Sequence, residues 1–258
     1  MKQLILLIAL MFSGHLAAKT ITLNESNTII LNTEINSSTV AQVQVKAMEL
    51  SSKNPEQELF LVLNSPGGSV TAGALMIDTL NSLPNRIHTV SLFAASMAYQ
   101  TVQSLGIRYV LNSSTLMSHR AYLGGVKGTF EQLDSIISLF KNHVANFERV
   151  ASKRIGMSLV DYKKLIHDDY WVTGFDSVEK GHADAIATVI CGKTLQGTYV
   201  REYRTMFGNY DVTFSKCPLI QGYLKIKAQN GTEYSNEAVQ EIDRLFNDRT
   251  RSNIKMNI

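Results

Sequence analysis

From residue 58 the chain reads ELFLVLNSPGG, an unbroken apolar run from Leu59 to Leu63 that stops in a turn. The run is too short for a helix and lacks in–out alternation, so it predicts a strand buried on both faces. Asn64-Ser65-Pro66-Gly67-Gly68 ends it with a combination that no strand or helix interior tolerates. The period then changes. Over 69–84, Val70, Ala74, Ile77 and Leu80 recur at three- and four-residue steps, which predicts a helix with Pro84 beyond its end. The alternation repeats with a strand over 86–93, a helix over 96–106 and strands over 107–112 and 115–121. Upstream, 20–32 predicts short strands around a polar turn. A helix is predicted over 38–52, where Val40, Val43, Val45 and Met48 or Leu50 recur at mixed spacing. Strands alternating with helices imply the α/β class, with a parallel sheet and crossover helices. No linker or repeat interrupts residues 20–190.

Residues 129–152 depart from this rhythm. Phe130, Leu133, Ile137, Phe140, Val144, Phe147 and Ala151 form a heptad seam. A helix of about 24 residues is long against the usual 11–12. Such a helix either lies on its own core or projects and packs against a partner chain. After 190 the pattern alternates between apolar and polar residues around Gly208-Asn209, which predicts a hairpin. Residues 235–251 predict a terminal helix capped by Ser235, with Ala238, Ile242 and Leu245 on one stripe. The expected organisation is a leader over 1–18, a main domain over 19–190 and an extension over 191–258.

Composition sharpens this picture in two places. With 45% hydrophobic and 18% charged residues the chain is globular, and 25 basic against 22 acidic residues leave a net charge of +3. So even a balance argues against a nucleic-acid-binding surface. At the N-terminus, Lys2, the apolar run Leu4 to Phe12 and the small pair Ala17-Ala18 have the form of an export signal cut after Ala18. That run reaches only about 14 Å as a helix, short of a ~30 Å hydrocarbon core. The expectation is a periplasmic or secreted protein with no stable membrane anchor once the leader is removed. Export bears on the cysteines, because an even count in an oxidising compartment favours a disulfide between Cys191 and Cys217. It would close a loop of about 27 residues, worth about 3–4 kcal/mol. Two cysteines with no histidine nearby argue against a metal site.

Chemistry belongs where parallel strands run into helix N-termini. At one junction, Gly67 and Gly68 let backbone N–H groups approach a ligand and donate to an oxyanion. At the next, Ser96 opens a helix in the stretch SLFAASMAYQ, with the Met97 N–H and the helix dipole pointing the same way. A nucleophilic hydroxyl needs a base. Of the histidines at 15, 88, 119, 143, 167 and 182, His119 is the best candidate, because it follows the strand ending in LMS. His15 is lost with the leader, His88 sits inside a strand, His143 lies on the long helix, and His167 and His182 lie in polar segments.

Four motifs in order, LNSPGGSVTAG, AASMA, LMSHRAYLGG and DDYWVTGFDSVEKGHADAI, resemble the Clp proteolytic subunit family of serine peptidases over roughly residues 20–190. The resemblance implies a crotonase-like fold of stacked parallel βαβ units with a protruding long helix, to which the hairpin and helix of 191–258 are appended. It implies a Ser–His–Asp triad in which Ser96 is the nucleophile and His119 the base. Asp169 is the third member, with Asp168 the neighbouring alternative. The N–H groups of Gly68 and Met97 are implied as the oxyanion donors, and no metal or organic cofactor is required. It further implies peptide or unfolded-protein substrates and a ring of subunits joined through the helix at 129–152. Phe93 near the nucleophile, Arg120-Ala121 after the histidine and an extra residue before Gly124-Gly125 depart from the family pattern and bear on specificity. The 191–258 extension has no family counterpart. The expected activity is that of a serine endopeptidase working without an ATPase outside the cytoplasm. The alternatives are an inactive oligomeric scaffold and a membrane-associated peptidase of the signal-peptide-peptidase kind, whose lysine base has no match here.

Overall fold

The structure is a computed structural model that describes residues 19–229 and 235–250. The expected leader over 1–18 lies outside the described residues, as does the Leu245 side chain. Six parallel strands form the backbone of the fold in the order β1 (Lys19–Leu23), β7 (Ala185–Cys191), β5 (Arg108–Ser118), β4 (Ile87–Ala95), β3 (Leu59–Ser65) and β2 (Thr28–Leu31). A seventh strand, β6 (Tyr170–Thr173), pairs antiparallel with the far end of β5. The helices α1 (Ser37–Lys53), α2 (Val70–Ser82) and α3 (Met97–Ser104) supply the crossovers.

The apolar run in β3 divides between two cores because successive side chains point to opposite faces. Leu59, Leu61 and Leu63 pack on the helix side with Met76, Ile77 and Leu80 of α2 and Ala98 and Val102 of α3. Phe60 and Val62 pack on the other side with Ile21, Leu23, Val90 and Tyr109. That second core is completed by Leu195 and Leu219 of the extension, which therefore covers the outer face of the sheet. Cys191, the last residue of β7, is joined to Cys217 by the expected disulfide.

Three elements differ from the sequence reading. The strands expected at 107–112 and 115–121 are one strand, β5, whose pairing with β4 shifts register between Ser91 and Phe93. The polar pair Ser113-Ser114 between the two expected strands is accommodated there, with Ser114 Oγ donating to the Ser91 carbonyl at 2.5 Å. In the extension the hairpin turns at Met206-Phe207, and Gly208 and Asn209 already belong to a strand. The strands β8 (Thr198–Thr205) and β9 (Gly208–Ser215) are joined by a third, β10 (Tyr223–Ala228), and α7 (Asn236–Thr250) packs Ala238 and Ile242 against this small sheet. On α1, Val43, Ala47 and Leu50 face the core while Val45 and Met48 face outward, because the buried face follows the 3.6-residue period.

The long helix is α4 (Phe130–Arg154), capped by Thr129 and Gln132 in a reciprocal box. Only its second half is seated. Phe147 and Ala151 are buried, whereas Phe130, at the other end of the same seam, is 85% exposed. A short helix, α5 (Leu159–Leu165), follows it, and α6 (Gly174–Glu179) follows β6. Among the described residues no helix is long and apolar enough to cross a membrane.

Candidate active site

Ser96 stands between β4 and α3 with φ 55° and ψ −120°, and among the described residues it is the only non-glycine with positive φ. A serine in this region is strained and persists only where the surroundings over-determine it. Here its N–H donates to the Met117 carbonyl of β5 at 2.9 Å, and its carbonyl accepts from Gln100 of α3. The effect is to lift Oγ off the sheet end. His119 follows β5 directly, and its Nε2 lies 2.7 Å from Ser96 Oγ.

The glycine turn closes on the same point. Gly67 has φ 93°, and a Cβ there would sit 2.7 Å from both Ser96 Cβ and the Met97 nitrogen. Only glycine lets this loop lie against the serine. Gly68 is bridged to Ile35: the Ile35 N–H donates to the Gly67 carbonyl at 2.7 Å, and the Ser69 N–H donates to the Ile35 carbonyl at 2.8 Å. In a parallel bridge of this kind the central residue's own N–H faces the opposite side. The N–H groups of Gly68 and Met97 have no acceptor among the described residues.

Asp169 precedes β6, and the antiparallel register sets Tyr170 opposite Ser118, so the next pair outward is Asp169 and His119. Asp169 Oδ1 lies 3.5 Å from His119 Nδ1, longer than a good hydrogen bond, and the carboxylate is 60% exposed. Asp168 faces solvent beside His167. Strand β6 is fastened by its aromatic residues. Tyr170 packs at a tilt on His182 at 5.2 Å and Trp171 packs on Phe93 at 6.3 Å. Phe93, a departure from the expected pattern, thus has a packing partner near the site.

Sequence reasoning missed the other walls of the cleft beside Ser96. Val70, Met97, Ala121, Val144 and Phe147 make it apolar, and Gln100 and Glu148 add polar groups. Val144 and Phe147 were legible only as seam residues of α4. Glu148 is paired with Lys163 of α5 at 3.3 Å. Beneath His119, Ser118 Oγ and Tyr162 OH share a hydrogen bond at 2.8 Å.

The other histidines are placed elsewhere. His88 Nδ1 accepts from the Ile107 N–H. His182, expected in a polar segment, is buried with Nδ1 at 2.6 Å from Tyr99 OH, because the turn carrying it folds under α3. Burial, aided by Arg108 and Lys180, pushes its pKa down from 6.5 to about 4. Among the described residues no group of three or more His, Cys, Asp or Glu side chains is placed to hold a metal ion.

The sequence profile of Clp protease matches residues 15–189. The chain belongs to the Clp protease family. It is similar to ATP-dependent Clp protease proteolytic subunit 1 of Streptomyces avermitilis, with 29% identity over 180 residues, covering 68% of this chain and 80% of that protein. It is also similar to proteolytic subunit 1 of Bacillus cereus, at 29% identity over 61% of this chain and 83% of that one. Proteolytic subunit 2 of Tropheryma whipplei is 27% identical over 57% and 83% respectively. Members of this family form oligomeric rings and act on peptides, and the match stops at residue 189, where the extension begins.

Proposed function

We propose that the chain is a serine endopeptidase that cleaves peptide bonds without an ATPase, outside the cytoplasm. The observation that carries this reading is the strained Ser96 with its Oγ 2.7 Å from His119 Nε2. Ser96 Oγ attacks the scissile carbonyl carbon while His119 takes its proton. The carbonyl oxygen becomes an oxyanion, held by the N–H groups of Gly68 and Met97, and electrostatic stabilisation of this kind is usually the largest single contribution. As the C–N bond breaks, His119 returns the proton to the leaving amine. A water, deprotonated by His119, then hydrolyses the acyl-enzyme and frees Ser96. Asp169 holds the imidazole by its Nδ1–H, and the 3.5 Å separation shortens as the imidazolium charge develops.

The export-type leader and the Cys191–Cys217 bridge favour an oxidising compartment, where a nucleotide-driven unfoldase has no fuel. Substrates are then peptides or already unfolded chains. The unseated first half of α4, with Phe130 and Leu139 exposed, supports a ring assembly through this helix. The test is hydrolysis of a fluorogenic peptide by the purified protein with no nucleotide, together with labelling by a fluorophosphonate. Labelling and turnover that vanish in Ser96→Ala are expected. Turnover only when ATP and an unfoldase are added would overturn the autonomous reading. Labelling that survives His119→Ala would overturn the assigned base.

A further inference from the structure

A second cleft, sharing no residue with the one beside Ser96, lies between the large sheet and the extension. One wall is built by β2 and the start of α1, through Ile30, Asn32 and Gln42. The other is built by β8, whose Tyr199, Arg201 and Tyr203 are alternate residues and so share one strand face. Both walls end in edge strands, since β2 closes the large sheet and β8 the small one. An edge strand offers a row of unpaired backbone donors and acceptors.

The cleft is one-sided in charge. Arg201 and Lys216 line it, and among the described residues no aspartate or glutamate does. Lys216 is engaged by Glu25 at 3.0 Å. The Arg201 guanidinium lies 5.3 Å over the Tyr199 ring and is paired with no carboxylate among the described residues. Glu202 alternates to the opposite face, where it accepts from Arg204. Ile30 and Ile220 stand exposed at the rim.

We propose that this cleft binds an extended acidic peptide segment. A chain in β-conformation can pair its backbone with an edge strand. Its carboxylates would then point to Arg201 on the β8 wall, and its intervening apolar side chains, which point the other way, to Ile30 on the facing wall. The stretch from Asn32 through Thr33 and Glu34 leads to Ile35, the residue bridged to Gly68, so the occupied cleft adjoins the loop beside Ser96. The binding does not depend on hydrolysis, and its test is kept separate from that reading.

The test uses the purified full chain carrying Ser96→Ala and the fluorescence anisotropy of a short labelled peptide of alternating glutamate and valine. The peptide with glutamine in place of glutamate is the control. The acidic peptide is expected to bind and to weaken as salt is added. Arg201→Ala should weaken it about tenfold, the loss of one charge-assisted contact, with the melting temperature unchanged. Arg201→Gln should act alike, and Tyr199→Ala should cost less. Equal affinity for the glutamine peptide, or unaltered binding in both Arg201 variants, would overturn the proposal. So would competition by a sulfated polysaccharide as strong as that by unlabelled acidic peptide at equal charge, since that marks general anion attraction.

Discussion

Two histidines in this chain each sit against a hydroxyl, at 2.7 Å for His119 and Ser96 and 2.6 Å for His182 and Tyr99. By contact distance alone they are equivalent. Their surroundings separate them. His119 follows a strand end, part-exposed, beside a strained serine, two free backbone donors and a carboxylate. His182 is buried among Tyr99, Tyr170 and Gln103, whose amide donates to its carbonyl, with Arg108 and Lys180 opposing a positive charge on it. Burial also pushes the Tyr99 phenol well above its ordinary value. A histidine–hydroxyl pair becomes chemistry only where the hydroxyl is held out of place and a charge can develop. Elsewhere the same pair is core structure.

The first pair should respond in activity. Ser96→Ala and His119→Ala should each lower peptide hydrolysis by about a thousandfold or more, with little change in thermal stability. A melting-temperature loss of the size seen for a core substitution, with activity retained, would reverse the assignment of the two pairs.

The second pair should respond in stability. Folded His182 takes its proton only near pH 4, whereas the unfolded side chain takes it near 6.5. Between those values the unfolded state binds more protons, so stability falls as pH falls from 6.5 to about 4 and levels off below. The loss amounts to about 3 kcal/mol at most. Melting temperatures across this range should show the decline, and His182→Gln should flatten it while lowering stability at pH 7. An unchanged slope in His182→Gln would place the decline on another group.

Asp169 tests how much the third group adds. Its long, exposed contact predicts a loss of about ten- to a hundredfold in turnover for Asp169→Asn, less than a buried carboxylate gives. Asp168→Asn should stay within about twofold, because Asp168 faces solvent beside His167. Equal effects of the two substitutions would show that the aspartate beside His119 in this structure is not the working one. The smallest effect is expected from Phe130→Ser, which should leave monomer stability within about 0.5 kcal/mol while weakening subunit association measured by sedimentation.

Much of this was legible in the chain. The apolar run of β3, the glycines after it and the serine opening α3 pointed to a parallel sheet with a glycine turn and a serine at its strand ends, since each obeys a local rule. What escaped depended on pairing between distant segments. Strand β6 is four residues long and has no period of its own, and its register against β5 is what sets Asp169 beside His119. The polar centre of β5 divided one strand into two expected ones, because the partner of its hydroxyl is a carbonyl across the sheet rather than a neighbour in sequence. His182 was read as polar because its neighbours in sequence are, although its neighbours in space are aromatic. The third strand of the extension was missed because its YLKIKA pattern is half lysine and alanine.

The parallel pairing of β1 with β7, from Lys19 against Ala187 to Leu23 against Cys191, imposes an order on maturation. The first strand among the described residues has no parallel partner until the chain has been made through residue 191. Its arrival also brings Cys191 into position. Completion of the sheet and oxidative closure of the extension are therefore neighbouring steps, and a nascent chain halted before residue 185 would carry an open flank that holdase chaperones recognise.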